Sequence, residues 1–125
     1  MSAAGDAAVL ARLRSDSLLA SRVFEGTVTS APQWYVSVFS PLGSDTSDRL
    51  SGPSNVNSTT YTIHSVGVTI EQAKAAGRRV VDLLRDYAIP GVGSLTHPVS
   101  RPPALDKDAN PVLWYLVDEF DLSHG

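Results

Sequence analysis

The sequence predicts an α+β fold: a mixed or antiparallel β-sheet with two main helices packed on one face, in the order α-β-β-α-β-β. Three observations lead to this prediction. Over residues 59–84 a strand-like segment passes through a two-residue joint into an amphipathic helix. Residues 34–40 and 112–122 alternate with the two-residue period of strands. Residues 3–20 are rich in the strong helix formers Ala, Leu and Arg.

The first helix is expected over residues 3–20. Val9, Leu10, Leu13 and Leu18 would lie near one face, which gives a narrow apolar stripe that suits packing against a sheet. Residues 23–30 contain β-branched residues around Gly26, a pattern that fits either a short strand or an extended connection.

A strand is predicted for residues 34–40, with apolar residues on both of its faces. Residues 41–58 then form a long loop that is rich in Ser, Gly, Asn, Asp and Pro. Such a long loop inside a compact domain is usually either functional or disordered. The 125 residues fit a single domain, so we interpret residues 41–58 as a loop or arm of that domain.

Residues 59–66 form the next predicted strand, with Tyr61 and Ile63 on the same face. Gly67 ends it, and Thr69 begins a helix as its N-cap. Gln72, three residues later, completes a capping box. The helix is expected to continue toward Tyr87, with small and apolar residues at the helical period: Ile70, Ala73, Ala76, Gly77, Val80, Leu83 and Leu84.

Two more strands are predicted in the C-terminal third of the chain. Residues 90–93, Pro-Gly-Val-Gly, stop the helix, and residues 94–100 form a strand interrupted by Pro98. Residues 101–103 and 106–111 read as turns. Residues 112–122 close the chain as a strand whose acidic end, Asp118, Glu119 and Asp121, is expected in solvent.

Composition excludes several classes of protein. A net charge of −3 leaves no basic footprint for a nucleic-acid backbone, and the absence of cysteine excludes disulfides and thiolate zinc sites. No run is apolar enough to span a membrane, and the first 20 residues lack the pattern of a signal peptide. We therefore expect a soluble protein that is made in a cytoplasm and has no membrane partner.

The sequence contains no set of residues with an evident catalytic or metal-binding pattern. None of the three histidines has a ligand neighbour at metal-site spacing: His64 is expected to be a polar residue of a strand, His97 a loop residue and His124 part of a frayed terminus. The nucleophile-elbow motif Gly-x-Ser-x-Gly is absent. No catalytic residue, metal or cofactor is therefore expected.

The segment from Ile63 to Ala73, IHSVGVTIEQA, carries a family resemblance together with the later stretch VVDLL at residues 80–84. The pattern resembles the tail terminator, or tail completion, proteins of long-tailed bacteriophages (siphophages), especially those of actinobacterial phages. In that family a strand similar to "hsVG" runs into a helix that starts with Thr and carries Gln-Ala. The N-terminal helix, the long polar loop and the last strand agree in order.

The resemblance implies a structural virion protein without a cofactor. Such a protein forms a ring, expected to be a hexamer, that caps the tail tube, ends tube polymerisation and provides the joint to the head connector. Its partners would be other copies of itself, the tail tube protein and the head–tail connector or stopper protein. No nucleic-acid sequence recognition is implied, and the expected location is the head-proximal end of the tail.

Contact residues are predicted on physical grounds, because loops on a rigid scaffold commonly carry partner-binding groups. The long loop is one candidate interface and the charged side of the second helix is another. The predicted subunit or partner contacts are Asp45, Asp48, Arg49, Leu50, Asn55, Arg78 and Arg79.

Three alternative functions remain open from the sequence. A head-closure or neck connector protein belongs to the same structural class. A small hydrolase would need a pocket that gathers a His, a Ser or carboxylate, and an oxyanion donor. A monomeric binding module would use the long loop as its recognition surface.

Overall fold

The computed structural model of the protein describes residues 3–26, 32–39, 58–109 and 112–124. Two helices are present in these residues, α1 (Ala3–Arg14) and α2 (Ile70–Leu84). The strands in the same residues are β1 (Val23–Glu25), β2 (Trp34–Phe39), β3 (Ser58–Gly67), β4 (Ala88–Ile89), β5 (Gly93–Ser100), β6 (Ala104–Asp106) and β7 (Leu113–His124).

The described strands form one mixed sheet in the order β1-β2-β3-β7-β5-β4, with β6 also paired to β7. Strands β1 and β2 are parallel, and the other pairs are antiparallel. Both helices pack on the same face, which confirms the predicted α+β class. The short strands β4 and β6 were not predicted; β6 lies between the two predicted turns, at residues 101–103 and 106–111, and overlaps the second at Asp106.

The first helix is shorter than predicted, since it ends at Arg14 and turns occupy residues 15–21. Side chains compete with the helical hydrogen bonds there: Ser15 Oγ donates to the Arg12 carbonyl at 2.6 Å, and Asp16 Oδ1 accepts from the Leu18 amide at 2.8 Å. Because the helix ends early, Leu18 does not belong to the apolar stripe that the sequence predicted for the first helix. Leu18 is 48% exposed, whereas its neighbour Leu19 is fully buried.

The second helix starts where the sequence predicts. Thr69 is the N-cap in extended conformation, and its hydroxyl accepts a hydrogen bond from the Gln72 amide at 3.1 Å. The Gln72 side-chain oxygen in turn accepts from the amides of Val68 and Thr69. This capping box satisfies amides that have no partner within the helix. The helix ends at Leu84, and Arg85 is its C-cap.

The core lies between the helices and the inner face of the sheet, which we define as the face that carries Tyr61, Ile63 and Phe120. Tyr61 also reaches α1, because its hydroxyl lies 2.7 Å from Asp6 Oδ1. The sequence periodicity predicted the buried side of α2, which consists of Ala73, Ala76, Gly77, Val80 and Leu84. No described helix is long and apolar enough to cross a membrane.

Two glycines hold α2 close to the sheet. A Cβ on Gly77 would lie 3.2 Å from Leu116 Cδ2 and within 3.8 Å of Ser65 Oγ and Asp118 Oδ2. A Cβ on Gly67 would lie 2.7 Å from the Cβ of Gln72 and 2.9 Å from the backbone nitrogen of Ala73. Gly67 therefore permits the tight joint between β3 and α2, and Gly77 permits the close contact in the middle of the helix.

Replacement of Gly77 by Leu is expected to lower the free energy of unfolding by about 1–3 kcal/mol, because the added side chain overpacks the helix–sheet contact. Thermal and urea unfolding measure the effect. Ala75→Leu is the matched control, since Ala75 is exposed on the same helix and should be within about 0.5 kcal/mol of the wild type. Equal melting temperatures for the two variants would show that α2 does not approach the sheet at Gly77.

Candidate functional site

The outer face of the sheet, opposite the helices, carries a row of aromatic side chains and is covered by neither described helix. The rings of Phe24 and Tyr35 meet edge to face with centroids 5.9 Å apart. His64 lies between Phe39 at 4.8 Å and Tyr115 at 6.1 Å. These side chains are partly exposed, so aromatic surface faces solvent across strands β1, β2, β3 and β7.

The same face contains a concave region of about 650 Å³, which we call the outer groove. Strand β6 borders it, because β6 pairs only with the first residues of β7 and leaves the adjoining sheet surface open. Its apolar mouth includes Leu105, which is 38% exposed. The aromatic, acidic and apolar residues that line the outer groove include Tyr35, His64, Leu105, Asp106, Asp108 and Tyr115.

Burial and charge act on the titratable groups of the outer groove. Burial raises the pKa of Tyr35, and the nearby Asp106 carboxylate raises it further. Burial lowers the pKa of His64, because desolvation disfavours the imidazolium form. Tyr35 therefore stays a neutral phenol and His64 stays a neutral ring near pH 7. The negative charge in the groove comes from Asp106 and Asp108, both exposed at the rim.

The inner face holds a polar pair that the sequence did not predict. Asp118 is 1% exposed, and its Oδ1 lies 2.9 Å from His97 Nε2. The ring of His97 also stacks on Phe120 at 4.6 Å. The expectation of a solvated Asp118 is therefore wrong, and His97 lies in β5 rather than in a loop. Pairing with β3 and β5 places Asp118 beside α2, and the register shift between Thr96 and Val99 brings His97 to the same side.

Ser65 lies close to this pair but does not complete a catalytic arrangement with it. Its hydroxyl is buried and has no hydrogen-bond partner in the described part of the chain. A serine nucleophile requires a hydrogen bond to its base, and Ser65 Oγ makes none with His97 in the described part of the chain. The described residues also bring together no group of three His, Cys, Asp or Glu side chains that would hold a metal.

The helix side of the molecule carries a basic stripe, defined here as Lys74, Arg78 and Arg85. The spacing of four and seven positions places them along one line of α2 and its C-cap, and all three are exposed. Lys74 and Arg78 border a shallow depression of about 300 Å³ between α2 and the sheet, and the exposed Asp82 of the same helix side borders it too. This side of the helix therefore carries three basic residues and one acidic residue. In the described residues, none of the three forms an ion pair.

The predicted contact residues differ in their surroundings. Arg78 belongs to the basic stripe. Arg79 Nε lies 2.9 Å from Asp16 Oδ2, so this arginine joins α2 to the turn after α1. The five loop predictions, Asp45, Asp48, Arg49, Leu50 and Asn55, lie outside the described residues.

None of the residues that line the outer groove was predicted as a contact residue. A signal for it was nevertheless present, because residues 34–39 carry large apolar or aromatic side chains on both faces of the strand. A strand that is apolar on both faces has two surfaces to cover. Helices cover only one face of β2 in the described structure, and this leaves Tyr35 and Phe39 on the other.

Removal of the His97 imidazole is expected to destabilise the protein by about 1–3 kcal/mol, because Asp118 would be left buried without its hydrogen-bond partner. His97→Phe keeps a ring against Phe120 while it deletes Nε2. Thermal unfolding measures the loss. Arg101→Ala is the control: it breaks the exposed 3.8 Å pair with Glu119 and should cost about 0–1 kcal/mol. Comparable stability of the two variants would contradict a structural role for the buried pair.

The lowered pKa of His64 predicts a pH-dependent stability. Above about pH 6.5 the ring is neutral in both states. As the pH falls through that value, the unfolded chain takes up the proton first, so the free energy of unfolding decreases until the lower folded-state pKa is reached. Urea unfolding of wild type and His64→Phe between about pH 8 and pH 5 checks this. The wild type should lose more stability than the variant, and parallel curves would contradict the prediction.

Comparison with known proteins finds a similar fold among solved structures. No family model matches the chain, and no curated protein matches it. Among solved structures, a chain of a structure described as "Virion of native gene transfer agent (GTA) particle" superposes with a TM-score of 0.60. The two chains are 17% identical, and the match covers 93% of this chain and 90% of the other. The protein therefore shares its fold, over nearly its full length, with a chain of a virion particle.

Proposed function

We propose that the protein is a structural component of a virion and acts as a tail terminator. In this role it forms a ring, a hexamer in the simplest case, that caps the tail tube and stops addition of tube subunits. The ring then presents a surface to the head-side connector or stopper protein. Its place is the head-proximal end of the tail, and the role requires no catalysis and no cofactor.

The observation that carries the proposal is the fold shared with a chain of the gene transfer agent virion, at a coverage of 93% and 90%. That structure is of a whole particle, so the likeness fits a tail terminator and a neighbouring neck protein alike. The strand–glycine–capped-helix unit from Ile63 to Ala73 favours the terminator, because the family resemblance of the sequence rests on it.

The surfaces of the described residues also support an assembly role. The partly exposed aromatic row on the outer face is a candidate interaction surface, since it lies on the face that neither described helix covers. The buried His97–Asp118 pair lacks a hydrogen-bonded nucleophile, which favours a structural role for it. In the proposed ring, the arm of residues 41–58 and the charged side of α2 supply further contacts.

The proposal predicts ring-sized assemblies in solution or on tail tubes. Light scattering over a wide concentration range measures the mass of the protein alone and with tubes of its cognate tube protein. Electron microscopy of labelled protein shows where it binds. We expect either ring-sized particles or label confined to tube ends, with shorter tubes when the protein is present during polymerisation.

A variant that lacks residues 44–57, with the flanking strands joined by a short turn, tests whether the arm contributes contacts. It should fold but cap tubes less well if the arm contributes contacts. Binding of the full-length protein to an isolated neck assembly instead of to tubes would favour a neck connector. A monomer that ignores tubes at every concentration would overturn the structural proposal.

A further inference from the structure

The outer groove has the chemistry of a site for a positively charged side chain. Two carboxylates, Asp106 and Asp108, lie at its rim, and neither forms an ion pair within the described structure. The rings of Tyr35 and Tyr115 line its wall. Aromatic faces attract cations, and carboxylates at the rim add charge-assisted hydrogen bonds. His64, whose ring stacks beside that of Tyr115, presents no opposing charge because burial lowers its pKa.

The size of the outer groove suits such an occupant. Its volume of about 650 Å³ is within the ~300–1,000 Å³ of sites that enclose small molecules, so it has room for long side chains such as Lys and Arg. One cation of the groove itself, Lys107, lies between the two aspartates and is exposed. The rim at residues 106–108 therefore keeps a negative balance, with two carboxylates and one ammonium.

The chain itself carries a complementary surface. The basic stripe of Lys74, Arg78 and Arg85 is exposed and makes no ion pair with the described residues. It belongs to α2, which packs on the inner face of the sheet, whereas the outer groove opens on the other face. One molecule cannot bring these two surfaces together, but two copies can.

We propose that the outer groove of one subunit receives the basic stripe of the next copy of the same chain. This inference rests on the proposed ring and identifies its subunit contact. Each subunit offers one stripe and one groove on opposite sides, so the contact is head-to-tail. Head-to-tail contacts of identical subunits generate closed rings when the rotation closes. A symmetric groove-to-groove contact is disfavoured, because it would bring Asp106 and Asp108 of two subunits together.

Charge exchange tests the pairing directly. The groove variant carries Asp106→Lys and Asp108→Lys, and the stripe variant carries Lys74→Glu and Arg78→Glu. Each alone places like charges in every contact, so we expect assemblies at least tenfold weaker than the wild type. A 1:1 mixture lets the intact stripe of the groove variant meet the intact groove of the stripe variant. In the same mixture, the glutamate stripe of the stripe variant meets the lysine groove of the groove variant. Both kinds of contact then join opposite charges, so the mixture should assemble again.

Light scattering of each variant and of the mixture, with and without tubes, provides the readout. Circular dichroism and thermal unfolding check that both variants fold, which is expected because all four positions are exposed. Thr96→Ala is a control on an exposed residue of β5, outside both surfaces, and should assemble like the wild type. Added salt should weaken the wild-type contact, because exposed charges are screened.

The outcomes separate this contact from the proposed function. Recovery in the mixture, after loss in each variant alone, supports the stripe-in-groove contact. Wild-type assembly by both variants would overturn it and leave the ring intact through other surfaces. Loss in both variants without recovery would show that the surfaces matter but do not pair with each other, which also overturns it. A wild-type protein that stays monomeric even with tubes would overturn the ring together with the contact.

Discussion

The close approach of α2 to the centre of the sheet is the contact on which the rest of the structure depends. Gly67 allows the chain to leave β3 and enter the helix without a spacer, and Gly77 lets the helix axis settle against β3 and β7. A helix held so close buries Ile63 and Phe120 of the sheet against Val80 and its neighbours. The first helix then packs on α2, where the Arg12 guanidinium covers the Tyr87 ring at 4.4 Å and Arg12 Nε donates to the Leu83 carbonyl.

The arrangement of helices also decides which surface is left open. Both described helices lie on one face of the sheet, so the aromatic residues of the other face have no covering layer within the described chain. In the proposed ring, a neighbouring copy would cover these aromatic residues. The proposed contact uses the outer groove and the basic stripe, which lie on opposite faces of the same sheet.

The buried His97–Asp118 pair contributes a different constraint. A carboxylate under a helix is costly unless a partner satisfies it, and His97 supplies that partner at 2.9 Å from the neighbouring strand. The pair therefore couples the irregular part of β5, where the register shifts between Thr96 and Val99, to the centre of β7.

The sequence by itself determined the features that depend on neighbours along the chain. The capping box of Thr69 and Gln72 is local, since each partner lies within one helical turn of the other. The buried side of α2 follows from the helical period, and the class of fold follows from the succession of strand and helix signals. These elements were predicted correctly because no distant residue is needed to specify them.

Only the tertiary structure decided the features that depend on distant partners. Asp118 reads as a solvated strand end until pairing with β3 and β5 places it beneath α2. The burial of Leu19 depends on the turn that packs beside α2, where Arg79 Nε lies 2.9 Å from Asp16 Oδ2. The outer groove requires β6 to pair with β7, and no strand was predicted between the two turns that flank β6. In each case the deciding contact joins residues far apart in sequence, and local propensity carries no information about it.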